Sequence, residues 1–84
     1  MKDSSINTLS FGNDFLAKRF VESNGIKNAF IYKEPCNPTN RRWQVLEGNE
    51  STLSGWTAGE FRTKKAAKMF CDKLNEKIKF VLAL

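Results

Sequence analysis

The sequence predicts an α+β domain in which two β-α-β units share one four- to five-stranded, mainly antiparallel sheet, with both helices on one face. Three observations lead to that reading. A chain of 84 residues has room for one core, so residues 1–84 are expected to form a single domain. Its 40% apolar and 12% aromatic content, with only two prolines, belongs to a folded rather than a disordered chain. Slid against itself by fifty positions, the sequence brings Phe11, Ala17, Lys18, Phe20, Lys27 and Phe30 onto Phe61, Ala67, Lys68, Phe70, Lys77 and Phe80. Residues 6–34 and 53–84 therefore read as a pseudo-repeat, linked by a strand at 41–48.

The elements follow in order. Residues 6–11 are expected to form the first strand. Asn13 then offers a side-chain acceptor to the orphan amides of a first helical turn, and Leu16, Ala17, Phe20 and Val21 recur at helical spacing. Asn24-Gly25 supplies a left-handed stop. A β-favouring run at 26–34 leads into the turn-forming Pro35-Cys36-Asn37-Pro38, and 41–48, with Trp43 and Val45 alternating, gives the next strand. Residues 53–61 form another. Thr63 caps a second helix whose stripe is Ala66, Ala67, Phe70, Cys71 and Leu74, with an end expected near Asn75. The alternating apolar residues of 78–84 then predict a closing strand.

This order resembles the ferredoxin-like β-α-β-β-α-β domains, among them RNA-recognition modules and the SPOR peptidoglycan-binding domains. Gly59-Glu60-Phe61-Arg62-Thr63-Lys64-Lys65-Ala66-Ala67, followed by Leu74, is similar to the pattern that opens the second helix of SPOR repeats. The same stretch, with Arg42-Trp43-Gln44-Val45 upstream, also resembles the three-strand-plus-helix DNA-binding domains of phage integrase arms and plant transcription factors, over about residues 29–75. The chain departs from SPOR domains in carrying no export signal, and from RNA-recognition modules in lacking the aromatic-glycine RNP1 motif at 41–48. No site residue is carried over from either family.

Composition excludes several classes of chemistry. With no histidine and two cysteines, Cys36 and Cys71, the usual zinc sets and the Ser-His and Cys-His nucleophile pairs are missing. Both thiols are expected to be reduced. Glu47, Glu50 and Glu60 fall on turns or strand ends, where nothing shifts a carboxyl pKa toward catalysis. The glycines match no phosphate-binding spacing. The chain is thus expected not to be an enzyme and to need no cofactor or metal. It has neither an apolar stretch of signal-peptide length nor the ~20 apolar residues of a membrane span, so a cytoplasmic location without membrane contact is expected.

Charge carries the functional expectation. The net charge of +5 resides between residues 62 and 79, where Arg62, Lys64, Lys65, Lys68, Lys73, Lys77 and Lys79 face only Asp72 and Glu76. Lys64 and Lys65 stand in a first helical turn, where the dipole disfavours cations, and such an end suits phosphate. Arg41 and Arg42 beside Trp43 suit phosphates and stacked bases. Trp43 is read as a packing residue and Trp56, between Gly55 and Thr57, as the exposed ring. The expected nucleic-acid-binding set is therefore Arg41, Arg42, Trp56, Arg62, Lys64, Lys65, Lys68 and Lys73, in a non-catalytic module with RNA favoured over duplex DNA. A hydrated lysine face that keeps the protein soluble accounts for the same residues. The alternative function is a small protein-binding inhibitor or adaptor, such as a phage-encoded counter-defence factor, with an acidic target. A second copy of the chain, docked on an apolar open sheet face, is a further expected partner.

Overall fold

The computed structural model describes residues 6–33 and 43–84. It holds three strands, β1 (Asn28–Lys33), β2 (Trp43–Asn49) and β3 (Ser54–Phe61), paired antiparallel in the order β1-β2-β3. Helix α1 (Asp14–Ser23) precedes the sheet and α2 (Lys64–Leu82) follows it. Helix α2 packs on all three strands and α1 packs beside α2. The expected sheet of four to five strands is thus corrected to three, and the described residues do not form the ferredoxin-like order.

Both missing strands have physical reasons. In residues 6–11 short-range bonds win: the Asn7 side chain accepts from the Leu9 N–H at 2.8 Å, and the Ser10 hydroxyl accepts from the Asn7 N–H at 3.0 Å. These close a 3-10 turn, Thr8–Ser10, of the kind that Asn and Ser side chains offer in place of a ladder. At the other end α2 runs past Asn75 to Leu82. Its stripe of Ala67, Cys71 and Leu74 continues as Ile78 and Val81, which are 2% and 0% exposed. Burying each of these side chains is worth about 1.5–3 kcal/mol. The helix-propensity penalty of a β-branched residue is only about 0.5 kcal/mol, so packing decides. Neither glycine nor proline interrupts residues 63–84.

What repeats in the chain is therefore the two helix starts. Asn13 and Thr63 are both N-caps, Ala17 and Ala67 are fully buried, and Val21 and Cys71 occupy the next turn of each stripe. Phe20 and Phe70 flank the core in parallel roles, on Trp56 and Phe61 respectively. Beyond that the halves diverge, because Phe30 and Ile31 lie in a strand while Phe80 and Val81 lie in a helix.

Strand register decides which residues meet the helices. Ala29 lies opposite Glu47, Ile31 opposite Val45, and Lys33 opposite Trp43, which itself faces Phe61. This row looks toward α1 and α2, and the core gathers there around Ala17, Val21, Ala29, Val45, Ala67, Leu74 and Val81. A bulge between Val45 and Leu46 shifts the register against β3 and leaves Ala58 buried as the extra residue. The opposite face carries Tyr32, Gln44, Leu46, Thr57 and Glu60. It also carries Phe30, which is buried but stands apart from the core on the helix side. The β2–β3 hairpin closes on two facing glycines: a Cβ on Gly55 would sit 2.2 Å from the Glu47 carbonyl oxygen, and its φ is +147°.

Glu47 is the exception to an apolar core. Expected at a solvent-rich turn or strand end, it is instead fully buried in the middle strand. Its carboxylate accepts the Thr8 N–H at 3.0 and 3.2 Å, the Thr8 hydroxyl, and the Trp56 indole N–H. Burial raises its pKa above the ordinary 4.5, while these donors pull the other way. The 3-10 turn is thereby fastened to the sheet. No helix among the described residues is long and apolar enough to cross a membrane.

Candidate nucleic-acid interface

One end of the sheet gathers cations because four chain segments meet there. Strand β1 finishes at Lys33, β2 begins at Trp43, β3 finishes at Phe61, and α2 begins three residues later. Register places Lys33 beside Trp43, and its ammonium lies 5.2 Å from the centroid of the indole. From α2, the Lys64 ammonium reaches the same ring at 5.9 Å. Both are cation–π contacts, so two positive charges lie against the half-buried indole. Phe61 anchors this end by packing on Phe70 of α2 at 5.3 Å between centroids.

The start of α2 adds to the field. Thr63 accepts the Ala66 N–H at 3.2 Å through its hydroxyl, and the first turn that follows holds no acidic residue. Arg62, Lys64 and Lys65 are all exposed. Among the described residues the ion pairs are Lys68–Asp72 and Lys77–Asp14, so Lys33, Arg62, Lys64 and Lys65 keep their charges free of carboxylates. A first-turn lysine costs helix stability through the macrodipole. Two in succession make a concentrated positive site that the fold itself does not require.

The expected binding residues separate on this frame. Arg62, Lys64 and Lys65 come together at the basic end. Lys68 lies one turn on, tied to Asp72 at 3.5 Å in a pair whose side chains are both 65% exposed. Such a pair holds loosely. Lys73 is nine residues from Lys64, about half a turn round the helix at ~100° per residue, and it borders Leu9 and Phe80 instead. Arg41 and Arg42 lie outside the described residues.

Both tryptophans are half-buried and pack against the core, so Trp43 is the packing residue it was expected to be and the expectation for Trp56 is corrected. Trp56 is not an exposed ring: it is half-buried, packs edge-on against Phe20 at 5.7 Å and donates to Glu47. Trp43 packs against the edge of the core and also meets Lys33 and Lys64. Lys33 was not among the expected site residues, although pairing the strand at 26–34 with that at 41–48 would have brought it beside Trp43. Cys71 is a buried free thiol, raised in pKa chiefly by burial and then by neighbouring Asp72, and takes no part in this surface. Cys36 lies outside the described residues. Compared with known proteins, the chain matches no family model, no curated protein and no solved structure.

Proposed function

We propose that the chain is a non-catalytic nucleic-acid-binding module that grips phosphates with the basic end of its sheet. The observation that carries this reading is the meeting of Lys33 and Lys64 over Trp43, with exposed Arg62 and Lys65 beside Lys64 in the chain, four cations free of ion pairs among the described residues. Phosphates are the ligand such an end suits, since lysine and arginine supply charge and the α2 dipole adds to it. The contact set is accordingly redrawn: Lys33 and Trp43 enter, while Trp56 and Lys73 leave.

DNA becomes the favoured ligand. The resemblance to RNA-recognition modules implied the ferredoxin-like order, which the described residues do not form. Three strands followed by a helix is the order implied by the resemblance to integrase-arm DNA-binding domains. The test is a titration of labelled duplex and single-stranded DNA and RNA at several salt concentrations. Binding that falls steeply with salt and is strongest for duplex DNA is expected; no retention of any of them at low salt would refute the proposal.

A further inference from the structure

Helix α2 has a second stripe. Its inner one, Ala67, Cys71, Leu74, Ile78 and Val81, packs on the sheet. On the outer side, Ala66, Met69, Lys73, Glu76, Phe80 and Ala83 recur at alternating spacings of three and four, the a and d positions of a coiled-coil seam. None of the six is buried, and Met69 and Phe80 are 57% and 52% exposed. Lone exposed apolar residues need no explanation, but these stand in register on one face of a 19-residue helix. Leu9 of the 3-10 turn borders the same seam, forming a groove with Lys73, Glu76, Lys77 and Phe80.

The seam is complementary to itself. When two copies meet antiparallel, an a position of one faces a d position of the other. The dyad between Lys73 and Glu76 then sets Lys73 against Glu76 of the other copy, Met69 against Phe80, and Ala66 against Ala83, each layer occurring twice. Opposite charges meet at the centre, large apolar side chains meet outside them, and small residues meet at the rim. A parallel pairing would instead stack Lys73 on Lys73 and Glu76 on Glu76. Among the described residues neither central charge is held by an ion pair, since the pairs there use Lys68, Asp72, Lys77 and Asp14.

We infer that the outer face of α2 is an isologous dimer interface, with a second copy of this chain as its occupant. The inference is independent of the nucleic-acid reading, whose cations lie at the start of α2 and the end of the sheet. It also relocates the expected homodimer contact: residues 78–84, read as an apolar edge of the open sheet face, belong to a helix. The seam spans about 25 Å at ~1.5 Å per residue, so the interface is small and the dimer a weak, concentration-dependent one.

The experiment is sedimentation equilibrium on nucleic-acid-free protein, up to about 1 mM in chain, the range in which a weak dimer populates. The 9.6 kDa chain is expected to approach twice its mass as concentration rises. Lys73→Glu and Glu76→Lys each turn two facing attractions into repulsions and are expected to weaken association roughly tenfold to a hundredfold. Mixing the two variants restores it, because one copy then presents two glutamates to two lysines; the double swap K73E/E76K also restores it within one chain. Wild type that stays monomeric throughout overturns the inference. So does a wild-type dimer that the single swaps leave intact, or a mixture that fails to recover, because either places the contact elsewhere. Because both positions are exposed, circular dichroism of the variants is expected to match wild type, and recovery on mixing itself requires folded chains.

Discussion

Lys64 and Lys65 allow binding and stability to be driven in opposite directions. If Lys33, Arg62, Lys64 and Lys65 each neutralise one phosphate, log K against log salt for duplex DNA has a slope of about −3.6, from about −0.9 per contact. Between 50 and 200 mM salt the affinity then falls about 150-fold. Replacing both lysines with alanine halves the slope to about −1.8. The helix responds otherwise. Lys65 lies in the first turn and makes no ion pair or ring contact among the described residues, so Lys65→Ala relieves a dipole penalty of about 0.3–1 kcal/mol. A domain of this size gains about 4–8 °C in Tm per kcal/mol, which makes the expected rise about 1–8 °C at low salt. Lys64→Ala is expected to be nearly neutral, because it also forfeits the contact at 5.9 Å with Trp43, worth about 0.5–1 kcal/mol. Fluorescence anisotropy over a salt series, together with thermal melts, measures both responses. An unchanged slope in the double variant, or a Tm that falls with Lys65→Ala, would refute the reasoning.

The remaining predictions concern the fold. Glu47→Gln removes one acceptor oxygen from a site with three donor groups and is expected to cost about 1–3 kcal/mol in urea denaturation at pH 7. Because the folded-state pKa of Glu47 is raised, its contribution to stability is fully present below 4.5 and is lost as pH climbs through the folded value. Wild type should therefore gain on Glu47→Gln as pH is lowered from 7 toward 4.5, and a flat difference would contradict the buried charge. Gly55→Ala places a methyl 2.2 Å from a carbonyl oxygen at φ +147° and is expected to lower the urea midpoint, by about 1–3 kcal/mol in stability. In a Cys36→Ser background the 7% exposed Cys71 thiol should react with a disulfide reagent only slowly until denaturant is added. Rapid labelling in native buffer would place that thiol at the surface.

Much of the architecture was legible wherever local chemistry and tertiary packing agree. Asn13 and Thr63 are recognisable caps because their side chains satisfy amides two or three residues ahead, and the inner stripes are periodic enough to show which helix face is buried. The middle and last strands alternate and end in turn residues, so their positions were readable to within two residues. Residues 78–84 were not, because Ile78 and Val81 satisfy a strand's preferences and a helix's spacing alike, and only the burial available beneath α2 separates the two. Glu47 was opaque for a different reason: its partner Thr8 is 39 residues away, and nothing near Glu47 marks it as buried. Trp56 was misplaced because both tryptophans lie on the helix-facing row and pack on the core, Trp56 against Phe20 and Trp43 at the sheet's end. Their sequence neighbours report the face but not the position along it.

The Thr8–Glu47 clamp also fixes the smallest piece of this chain that can stand alone. Residues 28–82, three strands and a helix, look like a portable cassette ready to be excised or grafted. Cutting before Asn13 takes away the Thr8 amide and hydroxyl and leaves the Glu47 carboxyl among apolar side chains with the Trp56 indole as a donor. Leaving a buried carboxyl without its hydrogen-bond donors costs about 1–3 kcal/mol, a large share of what holds a domain of this size together. A transplanted version must bring its amino-terminal turn along, or exchange Glu47 for a neutral residue at the same stroke.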